Sequence, residues 1–334
     1  MFSNGKSNEQ RLSGEESMMI KHKVSIIGAG MVGSATMMAI LNSSLVAEIV
    51  LIDQNEEKAE GEALDAFHTT SFSYVPNVLI RKGTYEDCKD SQIIVMTAGP
   101  SVKPGQKLDR RILIETNANI TRSVMKEIIR FTKEAIIIFV SNPVDILTFI
   151  AQNEFDYPKH KIIGTGTLLD TARMRRIIGE YFLVDTKNVH GYVLGEHGES
   201  AFITWSLCNL GGIPIDRCAQ KFNKEVIDKE KILKDVKDAG MKILLAKGYT
   251  NYGVAESVAR IVKAISLNEL SILPVSTTLI GEYGIKDVAI SVPCIIGQDG
   301  IKEILDIPLS DIERSQFIAS GTSVKEAMKQ SGTI

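Results

Sequence analysis

Cysteine is scarce in this 334-residue chain, with four residues at Cys88, Cys208, Cys218 and Cys294. No two stand as C-x-x-C and no histidine lies at zinc-ligand spacing, which excludes a disulfide framework and a recognisable metal site. Scattered thiols fit a reducing, cytoplasmic compartment. Long hydrophobic runs are also missing. No apolar stretch reaches the ~18–20 residues needed to span a bilayer, and the opening MFSNGKSNEQRLSGEES has no apolar core of a secretory signal. An excess of one charge is absent too: 38 basic against 41 acidic residues leave a net −3. That excludes global attraction to nucleic acid or an anionic membrane. Nor is the chain poor in apolar residues, as a disordered one would be. Its 44% hydrophobic and 24% charged residues are ordinary for a soluble globular protein, and the length suggests two domains.

What is present begins at Lys23. Residues 1–21 are polar and aperiodic and read as a tail or an arm on a neighbouring subunit. Short apolar runs then alternate with amphipathic stretches. Val24–Ile27, Ile49–Asp53, Val78–Ile80, Ile93–Met96 and Ile136–Val140 read as strands, and Glu56–Phe67 as a helix with Ala59, Ala63, Leu64 and Phe67 on its apolar side. Strands apolar at every position are expected where helices cover both faces of a parallel sheet. The pattern predicts an α/β fold, a doubly wound Rossmann sheet over residues 22–164. Beyond 165 the texture is mixed. Val189–Leu194, Val288–Ile296 and the helical Lys229–Lys247 predict a second, α+β domain over 165–334.

Gly28-x-Gly30-x-x-Gly33 directly follows the first strand and opens a helix, and Asp53 ends the next strand about 20 residues further on. The glycines permit a tight turn, approach of backbone to a pyrophosphate and close helix packing, with the phosphates at the helix N-terminus. Asp53 would accept from a ribose 2′-hydroxyl and repel a 2′-phosphate, which favours NAD over NADP.

Three further segments carry chemistry. Asp170 and Arg173 lie at i and i+3, neighbours on one helix face. His197 stands between glycines in Gly195-Glu196-His197-Gly198, and Asp109-Arg110-Arg111 follows a Lys103-Pro104-Gly105 loop that could act as a lid. Singly, each has a plain explanation: a surface ion pair, a turn histidine, a solvated loop.

Together, Ser25–Gly33, Thr97-Ala98-Gly99, Val140–Asp145, Thr167–Arg173, Gly195–Gly198 and Lys247-Gly248-Tyr249-Thr250 resemble the NAD-dependent L-lactate and malate dehydrogenases, and among them the bacterial L-lactate dehydrogenases. The resemblance runs from about Lys23 to about residue 330. It implies hydride transfer between NAD and a small 2-hydroxy acid, pyruvate and lactate in the first instance. His197 would be the acid/base and Asp170 its orienting carboxylate. Arg173 would grip the substrate carboxylate as a bidentate fork. Arg110, with Arg111 as fallback, would polarise the carbonyl from the lid. Asn142 would contact substrate and nicotinamide, Thr250 would line the substrate pocket, and Val102, just before Lys103-Pro104-Gly105, would border the substrate from the lid. The bond before Pro143 is expected to be cis. For the cofactor the resemblance adds Val32, Lys58, Tyr85, Gly99, Ser123, Val140 and Thr165 to Asp53 and the glycines.

The lid departs from the family pattern. Counting from Lys103-Pro104-Gly105 puts the polarising arginine at Leu108, and counting back from Asn117 puts it at Arg110, which implies a two-residue insertion. Val102 stands where lactate enzymes have Gln and malate enzymes Arg. Without that Arg a second carboxylate has no partner, so malate is disfavoured, whereas an L-2-hydroxyisocaproate-type preference stays open. Glu199 replaces the usual Asp. Arg175 and His190 match positions that bind fructose 1,6-bisphosphate between subunits in activated members, and the family implies a homo-oligomer, a tetramer or dimer. A rival of another class is a catalytically silent NADH-binding sensor on the same fold.

Overall fold

The computed structural model describes residues 22–333 except Ser73 and 101–109, with Arg110 and Arg111 described at the backbone only. The arm expected at 1–21, Val102 and the Lys103-Pro104-Gly105 lid therefore lie outside the described residues. Among the described residues, nine strands form one sheet. They are β1 (Lys23–Ile27), β2 (Glu48–Ile52), β3 (Leu79–Lys82), β4 (Ile93–Met96), β5 (Ile136–Phe139), β6 (Ile162–Gly164), β12 (Ser271–Ile280), β13 (Lys286–Gly297) and β14 (Gly300–Ile304). Their order is β14-β13-β12-β6-β5-β4-β1-β2-β3.

The first six strands are parallel. The central ones are apolar on both faces because helices cover both: β4 and β5 are buried at every position. The helices are α1 (Met31–Ser43), α2 (Glu56–Thr69), α3 (Arg110–Ile128) and α4 (Val144–Glu154). Strand order reverses between β1 and β4, and the crevice beyond their carboxyl ends is where a doubly wound sheet binds ligands.

The C-terminal half contains α5 (Leu168–Phe182), α6 (Ile215–Phe222), α7 (Lys229–Lys247), α8 (Tyr252–Ser266) and α9 (Asp311–Gln330). It also has the short strands β7 (Val189–His190), β8 (Val193–Leu194), β9 (Phe202–Ile203), β10 (Asn209–Leu210) and β11 (Ile213–Pro214). Two expectations are refined. Val189–Leu194 is not one strand: it breaks at Gly191, φ +135°, so that β7 pairs with β10 and β8 with β9. A side chain at Gly191 would fall 2.5 Å from Cys208 Sγ, so the close approach there demands glycine. The sheet also does not stop at residue 164. β12 joins β6 antiparallel through Ser276 and Gly164, and the main hydrophobic core runs through both halves. All four cysteines are free and buried, and burial pushes the Cys88 and Cys208 thiols up to about 12.

Candidate active site

The turn after β1 is dictated by sterics. Gly28 has φ +109°, and a Cβ there would sit 2.7 Å from Thr97 Oγ1; one at Gly33 would strike Gly28 O at 1.8 Å. Gly30 differs, since a Cβ there would meet nothing within 4 Å. It is the N-cap of α1, makes no side-chain cap, and no acid occupies the first turn. The first amides of α1 are thus left open beside an empty cradle, the arrangement that receives a pyrophosphate. Asp53 is fixed at the end of β2, its carboxylate accepting from Ala29 N at 2.6 Å and Asn55 N at 2.9 Å. Each oxygen keeps a further lone pair for a ribose hydroxyl.

These residues border a groove of about 790 Å³ whose walls include Lys58, Tyr85, Gly99 and Ser123. Burial raises the Tyr85 phenol to about 12, so it stays neutral. A second cavity shares Gly30, Thr97 and Gly99 with the first and extends past Val32, Val140 and Asn142 to Leu244 and Thr250. The two adjoin at these shared residues, beyond the carboxyl ends of β1 and β4. Thr165 is placed otherwise: it is buried, its N–H donating to Phe139 O at 2.9 Å, and it borders neither cavity.

Asp170, in the first turn of α5, brings the charged residues together. Its Oδ2 accepts from His197 Nδ1 at 2.6 Å and its Oδ1 from Arg173 Nη1 at 2.8 Å. The Asp170 side chain is 9% exposed and that of His197 26%, so the ring keeps a path to solvent and ligand. The His197 loop is tied on three sides. Gly195 exchanges two backbone hydrogen bonds with Ser291 on β13, Glu196 N donates to Ser320 Oγ on α9 at 2.7 Å, and His197 N donates to Asp145 Oδ2 at 2.7 Å. With Nδ1 committed to Asp170, Nε2 is the atom offered to a substrate. Burial opposes charge on the ring, but Asp170, and Asp145 behind it, outweigh that and lift His197 above the ordinary imidazole value. Burial would likewise raise Asp170, yet His197 and Arg173 hold it below the usual carboxylate range.

Two residues without an assigned role in the sequence reading belong here. Asp145, in the first turn of α4, accepts from His197 N and from Ser276 Oγ, the latter at 2.6 Å, and burial raises it to about 6. An acid inside the apolar run Val144–Ala151 was the available signal. Asn117 on α3 is 4% exposed and donates Nδ2 to Asn142 O at 2.7 Å. Its Oδ1 has no partner and lies beside Gly99. An asparagine in an amphipathic helix gives no such signal. The Asn142–Pro143 bond is cis, as expected. Arg110 opens α3, its side chain outside the described residues. Arg175 donates Nη2 to Gly191 O at 3.4 Å, and its buried Nε has no partner among the described residues; His190, the residue before Gly191, is exposed. Among the described residues there is no cluster able to hold a metal ion, and no helix is long and apolar enough to cross a membrane.

A glycine turn with Asp53 at the switch point of a doubly wound sheet, together with a hydrogen-bonded Asp–His–Arg cluster, defines a nicotinamide-dependent dehydrogenase. Residues 22–164 match the family model described as lactate/malate dehydrogenase, NAD binding domain, and residues 167–333 match its alpha/beta C-terminal domain. The chain belongs to the lactate/malate dehydrogenase family. It is 58% identical to L-lactate dehydrogenase 2 of Clostridium acetobutylicum over 93% of this chain and 97% of that one. Identity to the L-lactate dehydrogenase of Selenomonas ruminantium is 45%, over 93% and 98% of the two chains. The ligand-bound crystal structure of the minor L-lactate dehydrogenase from Enterococcus mundtii matches with a TM-score of 0.88 at 40% identity, covering 93% of this chain and 98% of that one.

Proposed function

We propose that the protein is an L-lactate dehydrogenase, interconverting pyruvate plus NADH and L-lactate plus NAD, with 22–164 as its cofactor half and 165–334 as its catalytic half. The observation that carries this is the Arg173–Asp170–His197 chain of hydrogen bonds, a fixed proton donor beside a fork for one carboxylate. Bound NADH supplies the hydride. Asp53 takes the ribose and the open N-terminus of α1, with Gly28, Gly30 and Gly33 beneath it, takes the pyrophosphate. Lys58, Tyr85, Gly99 and Ser123 line the adenosine side, and Val32, Val140 and Asn142 serve the nicotinamide side. Arg173 holds the substrate carboxylate and Arg110 polarises the carbonyl. His197 Nε2 then gives its proton to the carbonyl oxygen, and takes it back in the reverse direction. Asn142, Val102 and Thr250 border the substrate, and no cation is assigned to a second carboxylate, which argues against malate.

Steady-state rates with pyruvate, 2-oxoisocaproate and oxaloacetate test this reading. Pyruvate is expected to give the highest kcat/KM, and a preference for oxaloacetate would overturn it. His197→Asn separates enzyme from NADH sensor: turnover is expected to vanish while NADH binding persists. Allostery is the second part of the reading. We infer a site for fructose 1,6-bisphosphate at Arg175 and His190 between subunits of a homotetramer acting in the cytoplasm, supported by the exposed His190 and by an Arg175 guanidinium that reaches the carbonyl of the adjoining Gly191. Activity at sub-saturating pyruvate that ignores the bisphosphate would remove it.

A further inference from the structure

Asp145 is a buried acid that the proposed proton transfer leaves unused. It is 3% exposed and lies between the buried Val144 and Ile146 at the start of α4. Its two hydrogen bonds come from neutral donors, His197 N on Oδ2 and Ser276 Oγ on Oδ1, and among the described residues no lysine or arginine pairs with it. Those contacts do not call for a charge. Asparagine has the same shape; its Oδ1 would accept from His197 N and its Nδ2 would donate to Ser276 Oγ. Burying a carboxylate costs far more than burying an amide unless a cation compensates. Asp145 sits in the first turn of α4, where the helix favours an anion, and burial raises it only to about 6. Above that pH it is a fixed anion behind His197. The other charges around the ring are Asp170 and Arg173 from α5, Glu196 in the same loop, and Lys237 of α7, whose Nζ donates to Glu199 O at 2.5 Å. β13 and α9 meet the loop through the backbone of Ser291 and the hydroxyl of Ser320, which carry no charge. Asp170 is shared between two cations, and Arg173 works against a charge on the imidazole. Before a substrate carboxylate arrives, the protonated trio is therefore net positive, and Asp145 cancels the excess.

We propose that Asp145 is a second counter-ion to the His197 imidazolium, a positioning residue supplied by the cofactor half whose charge, and not only its hydrogen bonds, keeps the proton donor charged. This rests on the 2-oxo acid reductase reading above. The pH profile of kcat/KM for pyruvate reduction in the wild type, Asp145→Asn and Ser276→Ala tests it. Asp145→Asn is expected to move the alkaline limb toward acid by roughly half a pH unit or more, the effect of one full charge several ångströms away in a partly screened interior. At a pH above the wild-type limb, kcat/KM should then fall about threefold or more. NADH binding, followed by fluorescence, should persist, which shows that the variant is folded. Ser276→Ala takes a hydrogen bond from the same carboxylate but leaves its charge, so its limb is expected to stay at the wild-type position. An Asp145→Asn limb that does not move, or one that moves equally in Ser276→Ala, overturns the proposal and leaves the dehydrogenase reading standing. Should Asp145→Asn not bind NADH, Asp145→Ser, a smaller neutral acceptor, takes its place in the same comparison. A wild type that oxidises NADH with no 2-oxo acid overturns the reading itself.

Discussion

Asp170 has two oxygens and gives one to each of two cations, His197 at 2.6 Å and Arg173 at 2.8 Å. The anion therefore both aligns the proposed proton donor and steadies the proposed substrate fork, and losing its charge should hurt twice. Asp170→Asn is expected to lower kcat/KM for pyruvate reduction by roughly 10²–10⁴. The pH dependence follows from the direction of the His197 shift. Reduction needs the imidazolium, so activity is full below the bound-state pKa and lost as pH rises through it; lactate oxidation needs the neutral ring and runs the opposite way. Because Asp170 lifts that value, the alkaline limb of pyruvate reduction is expected above the ordinary ~6.5. In Asp170→Asn, burial is opposed only by the more distant Asp145, so the limb should move toward acid. A wild-type limb at or below about 6.5 would contradict this account of the pair.

At the scale of elements, the N-terminal end of α4 organises both loops of the site. Asn142 just before it is held by Asn117 of α3, and Asp145 in its first turn holds the His197 loop and Ser276 of β12. Asn117→Asp replaces a donor with an acceptor facing a carbonyl, leaving Asn142 O unsatisfied at a cost of about 1–3 kcal/mol. Steady-state kinetics should show kcat/KM for pyruvate lower by about tenfold or more. A variant indistinguishable from wild type would mean that Asn117 does not position Asn142. Elements such as β4, β5 and the Gly28–Gly33 turn were legible in the sequence because doubly covered strands are apolar throughout and the turn needs glycine on steric grounds. The Asp170–Arg173 contact was legible too, being local to one helix. His197 meeting Asp170 is a tertiary event 27 residues apart, visible beforehand only through family resemblance. Asn117 was hidden because a buried amide and a solvated one look alike in an amphipathic helix. The break at Gly191 was hidden because its cause, Cys208, is distant in sequence.

For the molecule as a whole, the join between the two halves decides how it unfolds. Residues 22–164 and 167–333 match separate family models, yet β6 of the first half is paired to β12 of the second. Helix α4 reinforces the join: Gln152 Nε2 donates to Thr277 Oγ1 at 2.9 Å, Thr278 N donates to Gln152 Oε1 at 2.7 Å, and Ser276 donates to Asp145. A fragment ending at 164 would leave Gln152 and Asp145 without these partners and would bare apolar residues of α4 such as Leu147 and Ile150, which are 0% exposed in the intact fold. Buried polar groups stripped of partners cost about 1–3 kcal/mol each, a large part of the roughly 5–15 kcal/mol that holds a domain folded. The halves should therefore unfold as one unit. The single tryptophan, Trp205, lies in the C-terminal half and offers a local probe. Urea unfolding followed by Trp205 fluorescence is expected to coincide with the transition in far-ultraviolet circular dichroism, which reports both halves. A fragment of residues 22–164 is expected to show no cooperative transition and no NADH binding. Separated midpoints, or a fragment that folds and binds NADH, would show that the shared sheet joins two independently stable bodies.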